Sequence, residues 1–278
     1  FDINEINPNT DIILLPENAN TGDYCIPNEI KNIEKIDIPV LARIGDPWSI
    51  KRKDIEWNHK KYRITDYFGY QHESQFRKFY GQKFQYTTIL WGLENTLYKN
   101  IKPYRGRIKD RIINSGAISS TKFLSKMVAR YFRPGNPESQ YKLRTMCNNL
   151  SCVDYTPTLQ HEYVGDNYQK LLEKYQAAIA STSHHYTTKY FEIPAARCLT
   201  FMEVTENNFA KTLGFEDDVN AIFINENNYQ SKFEEYIKDT DNPKWERIAN
   251  SGREFVMNNL TNDNATEKLV ELMSNRIY

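Results

Sequence analysis

The sequence predicts an α/β protein built on parallel sheets. Short apolar segments of strand length alternate with amphipathic segments of helical period, which is the order of a parallel sheet with helices on its faces. The chain has 278 residues, enough for two modest domains. The alternation is clearest over residues 168–204, which read as helix, apolar strand, polar loop, helix and second strand.

The first part of the chain predicts four strands with helices between them. The predicted strands are 11–15, 38–44, 64–69 and 86–90, and the predicted helices are 28–36 and 73–80. Asp46 and His72 each follow a strand end, where a parallel sheet delivers residues to a ligand crevice. Asp46 is therefore a candidate catalytic base, although Asp before Pro47 is also a common turn former.

The second part repeats the alternation and ends in amphipathic helices. The predicted strands are 111–117, 152–155, 177–180 and 221–224, and the predicted helices are 121–131, 140–150, 207–213, 229–238, 243–258 and 265–276. The first of these strands ends in Ser115-Gly116, where glycine would let the backbone approach a ligand closely. A plain tight turn explains this glycine equally well.

A polar loop at 181–188 follows one predicted strand and leads into a helix that begins at Lys189. It carries hydroxyl side chains and two histidines. Ligands of open α/β sheets bind outside the carboxyl ends of the strands, and the first N–H groups of a helix are normally unpaired. The loop therefore predicts an anion-binding site.

The segment T-K-Y-F-E-I-P-A-A-R-C-L-T-F-M-E, from Thr188 to Glu203, resembles the donor-site segment of GT-B glycosyltransferases. The branch it resembles is the one related to spore maturation protein CgeB. The resemblance extends over about 107–273 and is weaker upstream; the alternative is an ordinary αβ unit with a surface glutamate. It implies two Rossmann-like domains with parallel sheets, the N-terminal one short or incomplete. The implied domains are an acceptor-side domain at 1–104, a nucleotide-sugar-binding domain at 105–262, and a terminal helix at 263–278 that packs back on the first.

The resemblance also implies roles for individual residues. Glu192 would hold the ribose hydroxyls of a nucleotide sugar. Arg144 ends a Tyr-Lys-Leu-Arg run similar to the branch's Tyr-Pro-Leu-Arg, and its guanidinium would bind the pyrophosphate; a solvated helix position is the alternative. The complete predicted donor-binding set is Glu192, Lys189, Thr188, Thr187, Tyr190, Arg144, Gly116 and Ser115.

Two positions depart from the family pattern. Many retaining GT-B enzymes have two glutamates separated by seven residues, and His184 takes the place of the first. We therefore predict His184 as a catalytic residue, with an exposed loop position as the alternative; the sugar and the stereochemical class stay open. Arg197 stands where the family usually has glycine, and it either narrows the pocket or points to solvent.

The composition of the chain argues against several classes of protein. Lys+Arg and Asp+Glu are both 36, and this balance argues against a general nucleic-acid binder. Four cysteines without a disulfide pattern predict a cytoplasmic protein. No apolar run predicts a transmembrane helix, although peripheral membrane contact stays open. The chain begins at Phe1 rather than Met and has no signal-peptide pattern, and whether residues precede Phe1 stays open.

These observations predict a glycosyltransferase that moves a sugar from a UDP- or GDP-sugar to a sugar, lipid-linked or protein acceptor. No cofactor and no metal are expected, because Lys, Arg and helix N–H groups can stabilise a leaving diphosphate without a metal ion. One alternative is a non-catalytic nucleotide-sugar-binding module. Another is a nicotinamide dehydrogenase, which the missing G-x-G-x-x-G disfavours.

Overall fold

The computed structural model describes residues 2–7, 11–16, 30–35, 37–45, 52–90, 92–119, 141–157, 163 and 165–277. The chain forms two compact units: Phe1–Gly92 together with Asp263–Tyr278, and Leu93–Asn262. Each unit contains a parallel sheet with interleaved helices, which confirms the predicted fold class. Residues 93–104, which the sequence analysis placed in the first domain, belong to the second unit.

The first unit is built on a four-stranded parallel sheet of order β1-β2-β3-β4. Its elements are β1 Ile13–Leu15, β2 Val40–Arg43, α1 Arg52–Lys61, β3 Asp66–Gly69, α2 Glu73–Tyr80 and β4 Gln85–Thr88, with 3-10 turns at Ile3–Glu5 and Ile33–Lys35. Aromatic side chains fill the core, and the ring of Phe76 stacks on Tyr86 at 4.1 Å and on Tyr80 at 4.6 Å. The described part of the predicted helix 28–36 contains only the turn Ile33–Lys35.

The second unit has a five-stranded parallel sheet of order β6-β5-β7-β8-β9. Its strands are β5 Ile108–Ser115, β6 Val153–Thr156, β7 Tyr175–Ala180, β8 Leu199–Glu203 and β9 Ile222–Ile224. Its helices are α3 Lys142–Cys147, α4 Tyr168–Leu172, α5 Lys189–Ala195, α6 Tyr229–Lys238 and α7 Pro243–Asn259, with 3-10 turns at Asn95–Tyr98, Gly165–Asn167 and Ala210–Leu213. The predicted helix 121–131 lies outside the described residues.

The strand order places a ligand crevice within this second unit. Chain order runs outward from β5 to β6 on one side and to β7, β8 and β9 on the other. The carboxyl ends of β5 and β7 are neighbours, with Ile113 paired to Ala178. In doubly wound sheets the crevice opens at the point where the strand order reverses. The loops after β5 and β7 are therefore the place to look for a site.

The last helix, α8 Asn262–Ile277, supplies its apolar side to the first unit. Leu272 joins a buried cluster with Leu41, Phe68 and Ile89. No helix in the described ranges is long and apolar enough to cross a membrane.

Candidate functional site

Two cationic side chains converge on Gly116, the residue that follows β5. Arg144 comes from α3, and Lys189 is the first residue of α5. A Cβ built on Gly116 would lie 2.2 Å from Lys189 Nζ and 2.9 Å from Arg144 Nη1. The backbone of Gly116 also has φ 109°, which favours glycine. We call Gly116, Arg144 and Lys189 the cationic site.

Main-chain carbonyls hold both cations in place. The Lys189 ammonium donates to the carbonyl of Ser115. The Arg144 guanidinium donates to the carbonyl of Ala117 at 3.1 Å and to that of Ser181. The cations are thus fixed at the carboxyl ends of β5 and β7 by neutral partners, and their charges are not cancelled there.

The electrostatics of the cationic site favour an anion. Arg144 is buried, and burial lowers its pKa. Burial, and then the charge of Arg144, lowers the pKa of Lys189 well below its usual range, while Glu192 opposes this shift. Across the described residues, no ion pair joins a carboxylate to either cation. An incoming anion would favour the charged form of Lys189 and offset its repulsion with Arg144 in this low-dielectric setting.

Glu192 lies one turn beyond Lys189 on α5 and is half-buried. Burial raises the pKa of its carboxyl, while a hydrogen bond from Thr188 and the charge of Lys189 lower it. Thr187 precedes the helix, and its buried Oγ1 has no hydrogen-bond partner in the described part of the chain. A carboxylate and a free hydroxyl therefore lie close in sequence to the cationic site.

At the N-terminus of α5, three of the N–H groups that the sequence analysis expected to be free are paired with main-chain carbonyls. The N–H of Tyr190 donates to Thr187 O at 3.0 Å, and those of Phe191 and Glu192 donate to Thr188 O at 2.8 and 2.9 Å. These donors are already paired because the chain enters the helix through a tight turn. Side chains would therefore have to supply most of the contacts to an anion.

Two predicted donor-binding residues have their polar atoms engaged inside the unit. Ser115 is buried, and its Oγ lies 2.6 Å from the hydroxyl of Tyr168. Tyr190 is fully buried, and its hydroxyl donates to Glu203 O at 2.9 Å. Because both hydroxyls are bonded within the second unit, these side chains stabilise the fold around the cationic site.

The predicted catalytic residues are placed differently from one another. His184 is exposed on the loop after β7. Its neighbour His185 is buried; burial, with the charges of His184 and Arg144, lowers the pKa of His185 to about 4. Asp46 lies outside the described residues. His72 caps α2, where its Nδ1 accepts from Ser74 N at 3.2 Å.

Arg197 comes just before β8 and therefore lies at the amino ends of the strands, whereas the cationic site lies at their carboxyl ends. It does not narrow the cationic site. Its φ is 58°, and its N–H donates to Pro194 O at 2.8 Å, so it ends α5 in the left-handed conformation. Its carbonyl accepts from Arg107, which also donates to Tyr175 O at the start of β7. The glycine expected at this position is explained by backbone conformation.

Sequence reasoning gave no role to Glu203, the last residue of β8. Its buried carboxylate accepts from Ser181 Oγ at 2.5 Å and from Ser183 Oγ at 3.3 Å. Asn208 Nδ2 donates to Glu203 O at 2.8 Å and to Thr182 O at 3.0 Å. An acidic residue at the end of an apolar strand was the signal available in the sequence. Within the described ranges, no cluster of His, Cys, Asp and Glu could hold a metal ion.

No protein-family model matches the sequence, and a search of curated proteins gives no match. Solved structures match the fold, and glycosyltransferases of the GT-B class are among them. A glycosyltransferase from Rickettsia africae ESF-5 is 11% identical, with a TM-score of 0.57 over 88% of this chain and 72% of that one.

Anabaena Alr3699/HepE in complex with UDP-glucose is 11% identical, with a TM-score of 0.58 over 95% and 79% of the two chains. Sucrose-phosphate synthase from Thermosynechococcus elongatus is 10% identical, with a TM-score of 0.55 over 87% and 69%. The chain therefore has a GT-B-like fold, and at these identities the likeness shows the fold alone.

Proposed function

We propose that the chain is a glycosyltransferase that takes its sugar from a nucleotide-sugar donor bound to the second unit. The observation that carries this proposal is the convergence of Arg144 and Lys189 on Gly116, where the strand order reverses. Breaking the bond between sugar and diphosphate leaves a nucleoside diphosphate whose negative charge grows in the transition state. Cations fixed beforehand stabilise such charge without reorganising.

Glu192 is assigned to the ribose of the donor. A carboxylate accepts strong hydrogen bonds from two neighbouring hydroxyls, and Glu192 lies one turn from Lys189. Thr187 and Thr188 contribute hydroxyls beside the phosphates, and Thr187 Oγ1 is available to donate. Anabaena HepE was solved with UDP and with UDP-glucose, which supports UDP-sugars as the first donors to test, with GDP-sugars beside them.

The finer assignments are proposals of the same kind. The chain is placed in the CgeB-like branch, with a sugar, lipid-linked or protein acceptor. The diphosphate is stabilised by Arg144 and Lys189 without a metal ion. His184 acts next to the transferred sugar, and Asp46 is the candidate base.

Calorimetric titration with UDP, GDP and UDP-glucose tests the donor assignment. Lys189→Met and Arg144→Met should each weaken binding about tenfold to a hundredfold, because a hydrogen bond to a charged group contributes about 1.5–3 kcal/mol. Lys211→Met is the matched control, since Lys211 is exposed on the turn Ala210–Leu213. Melting curves show which variants are folded. Equal affinity in wild type and a folded Lys189→Met variant would remove the cationic site from donor binding.

Turnover separates the enzyme from the binding module. Release of UDP from UDP-glucose, or sugar transfer to an added acceptor, should accompany binding in the wild type. Binding of UDP-sugars and GDP-sugars without any release or transfer would favour a non-catalytic nucleotide-sugar-binding module.

A further inference from the structure

The loop that follows β7 is fastened by a carboxylate from the neighbouring strand. Ser181 Oγ donates to Glu203 Oε2 at 2.5 Å, and Ser183 Oγ donates to Glu203 Oε1 at 3.3 Å. Both oxygens of one buried carboxylate are therefore used on two residues of the same loop. Ser181 directly follows β7 and Glu203 is the last residue of β8, and these two strands are adjacent in the sheet.

Ser181 connects this carboxylate to the cationic site. Its hydroxyl is bound to Glu203, while its carbonyl accepts from the Arg144 guanidinium. A shift of Ser181 would therefore move the acceptor that holds Arg144. The carboxylate of Glu203 acts on Arg144 through one residue.

The main chain of Glu203 is itself held firmly. Its carbonyl accepts from Tyr190 OH at 2.9 Å and from Asn208 Nδ2 at 2.8 Å. Asn208 also donates to Thr182 O at 3.0 Å, within the same loop. The carboxylate is thus a fixed point to which the loop is attached.

Charged and titratable groups from several elements surround this carboxylate. Burial raises the pKa of Glu203 most strongly, the two serine hydroxyls and Arg144 lower it, and Glu226 raises it further. Burial raises the pKa of Tyr190 on α5 and of Cys147 on α3, and the charge of Glu203 raises both further. The ionised carboxylate accepts strongly from both serines, whereas a protonated carboxyl carries a donor on one oxygen and accepts more weakly there.

We propose that ionised Glu203 is the positioning residue of the cationic site: it fixes the loop 181–185 and, through Ser181, orients Arg144 toward an incoming diphosphate. Glu203 contacts no ligand in this role. The use of UDP as a probe rests on the proposed function; the effect on the loop does not.

Glu203→Gln tests this proposal with the shape of the side chain preserved. Its amide offers one acceptor in place of two, so the loop should loosen. Hydrogen exchange of the backbone amides of 181–188 should become at least about tenfold faster at neutral pH, and UDP affinity should fall at least about tenfold. Glu206→Gln is the matched control, since Glu206 is exposed three residues further along the chain. It should leave both readouts unchanged.

The pH dependence distinguishes positioning from simple destabilisation. Between Glu203→Gln and wild type, the ratio of loop exchange rates should be large near neutral pH. It should approach one as the pH falls through the Glu203 pKa, because wild-type Glu203 then loses its charge. This ratio is not disturbed by Glu192, which is present in both proteins. The double variant Ser181→Ala with Glu203→Gln should lose no more UDP affinity than the single variant with the larger loss. Both substitutions remove the same connection from Glu203 through Ser181 to Arg144.

Two results would overturn the proposal. A folded Glu203→Gln variant with wild-type loop exchange would show that the carboxylate does not hold the loop. Additive losses in the double variant would show that Ser181 is not the connection. If the wild type binds neither UDP nor GDP, the proposed function fails, while the exchange experiment still decides the role of Glu203.

Discussion

At the scale of single residues, Gly116 combines a backbone requirement with a steric one. Gly116→Ala should displace the Lys189 ammonium, since the new Cβ would lie 2.2 Å from Nζ, and UDP affinity measured by calorimetry should fall at least about tenfold. Gly106→Ala is the matched control, because its φ is also positive at 89° but nothing lies within 4 Å of its Cβ. Both variants should melt at a lower temperature, whereas only Gly116→Ala should lose affinity. Equal UDP affinity in the two variants would show that a displacement of Lys189 does not affect UDP binding.

Arg197 carries a conformational cost that a glycine would remove. A left-handed backbone costs a residue with a Cβ roughly 1–2 kcal/mol. Burial lowers the pKa of the nearby Arg107 and Arg253, and the charge of Arg197 lowers both further. Arg197→Gly should therefore raise the free energy of unfolding by about 1 kcal/mol in a denaturant titration. Arg197→Ala, which keeps the strain, should gain less. A lower stability of the glycine variant would mean that contacts of the arginine outweigh its strain.

His185 should make stability depend on pH. Its pKa is lowered from 6.5 to about 4 in the folded protein, so between these values the unfolded chain binds more protons. Stability is fully present above pH 6.5 and is lost as the pH falls toward 4, by at most about 3 kcal/mol for a shift of this size. His185→Gln should lose less stability than wild type between pH 7 and pH 4.5. His184→Gln removes only the electrostatic contribution of His184 to this shift, so it should change the pH dependence less than His185→Gln does.

At the scale of elements, one buried arginine links three parts of the second unit: the segment before β5, the start of β7 and the end of α5. The Arg107 guanidinium donates to five carbonyls, those of Lys102, Pro103, Tyr175, Ala196 and Arg197. Replacing it with methionine would leave buried carbonyls without donors, each costing about 1–3 kcal/mol.

We therefore expect Arg107→Met to lower the unfolding free energy by at least about 3 kcal/mol in a denaturant titration. Arg105→Met is the control, because the Arg105 side chain is 82% exposed and pairs with Glu246 at the surface. It should change stability by less than about 1 kcal/mol. Similar losses in the two variants would argue against the role of the buried guanidinium.

Elements with a clear apolar period were predicted closely from the sequence. The bounds of α2 Glu73–Tyr80 and α6 Tyr229–Lys238 match the predicted ranges, because each shows a regular buried stripe between polar ends. Helix α1 was missed. Its sequence RKDIEWNHKK is strongly polar, and its position depends on the burial of Ile55, which is decided by tertiary packing.

The candidate site was predictable only where local motifs mark it. Gly116, Arg144 and Lys189 stand in recognisable local motifs, and the fold brings them together. The bond from Ser181 to Glu203 joins residues 22 positions apart and depends on β7 lying next to β8. Tyr190 was placed in the donor site by the motif, although its ring belongs to the core. Such facts follow from strand order, which a single sequence does not display.

At the scale of the whole molecule, the chain leaves its first unit after Gly92 and returns to it at Asp263. Helix α8 completes that unit. Leu272 packs into the cluster with Leu41 and Phe68, and Arg276 pairs with the buried Asp66 at 2.6 Å. The second unit has a separate core centred on its own sheet. The stability of the first unit should therefore depend on the last sixteen residues of the chain, Asp263–Tyr278.

A chain that stops after Asn262 tests this dependence. Its first unit would expose the Leu41 and Phe68 side chains, and the Asp66 carboxylate would lose its partner Arg276. Because the Arg276 side chain is 38% exposed, this ion pair contributes about 1 kcal/mol or less, and the loss of apolar packing dominates. In scanning calorimetry we expect the transition of the first unit to move to a much lower temperature, while that of the second unit stays. Leu272→Ala in the full chain should reproduce part of the effect, at about 2–5 kcal/mol, and Val270→Ala, 49% exposed on the same helix, should not. A truncated chain that keeps both transitions of the full-length protein would show that α8 only covers the sheet and does not stabilise it.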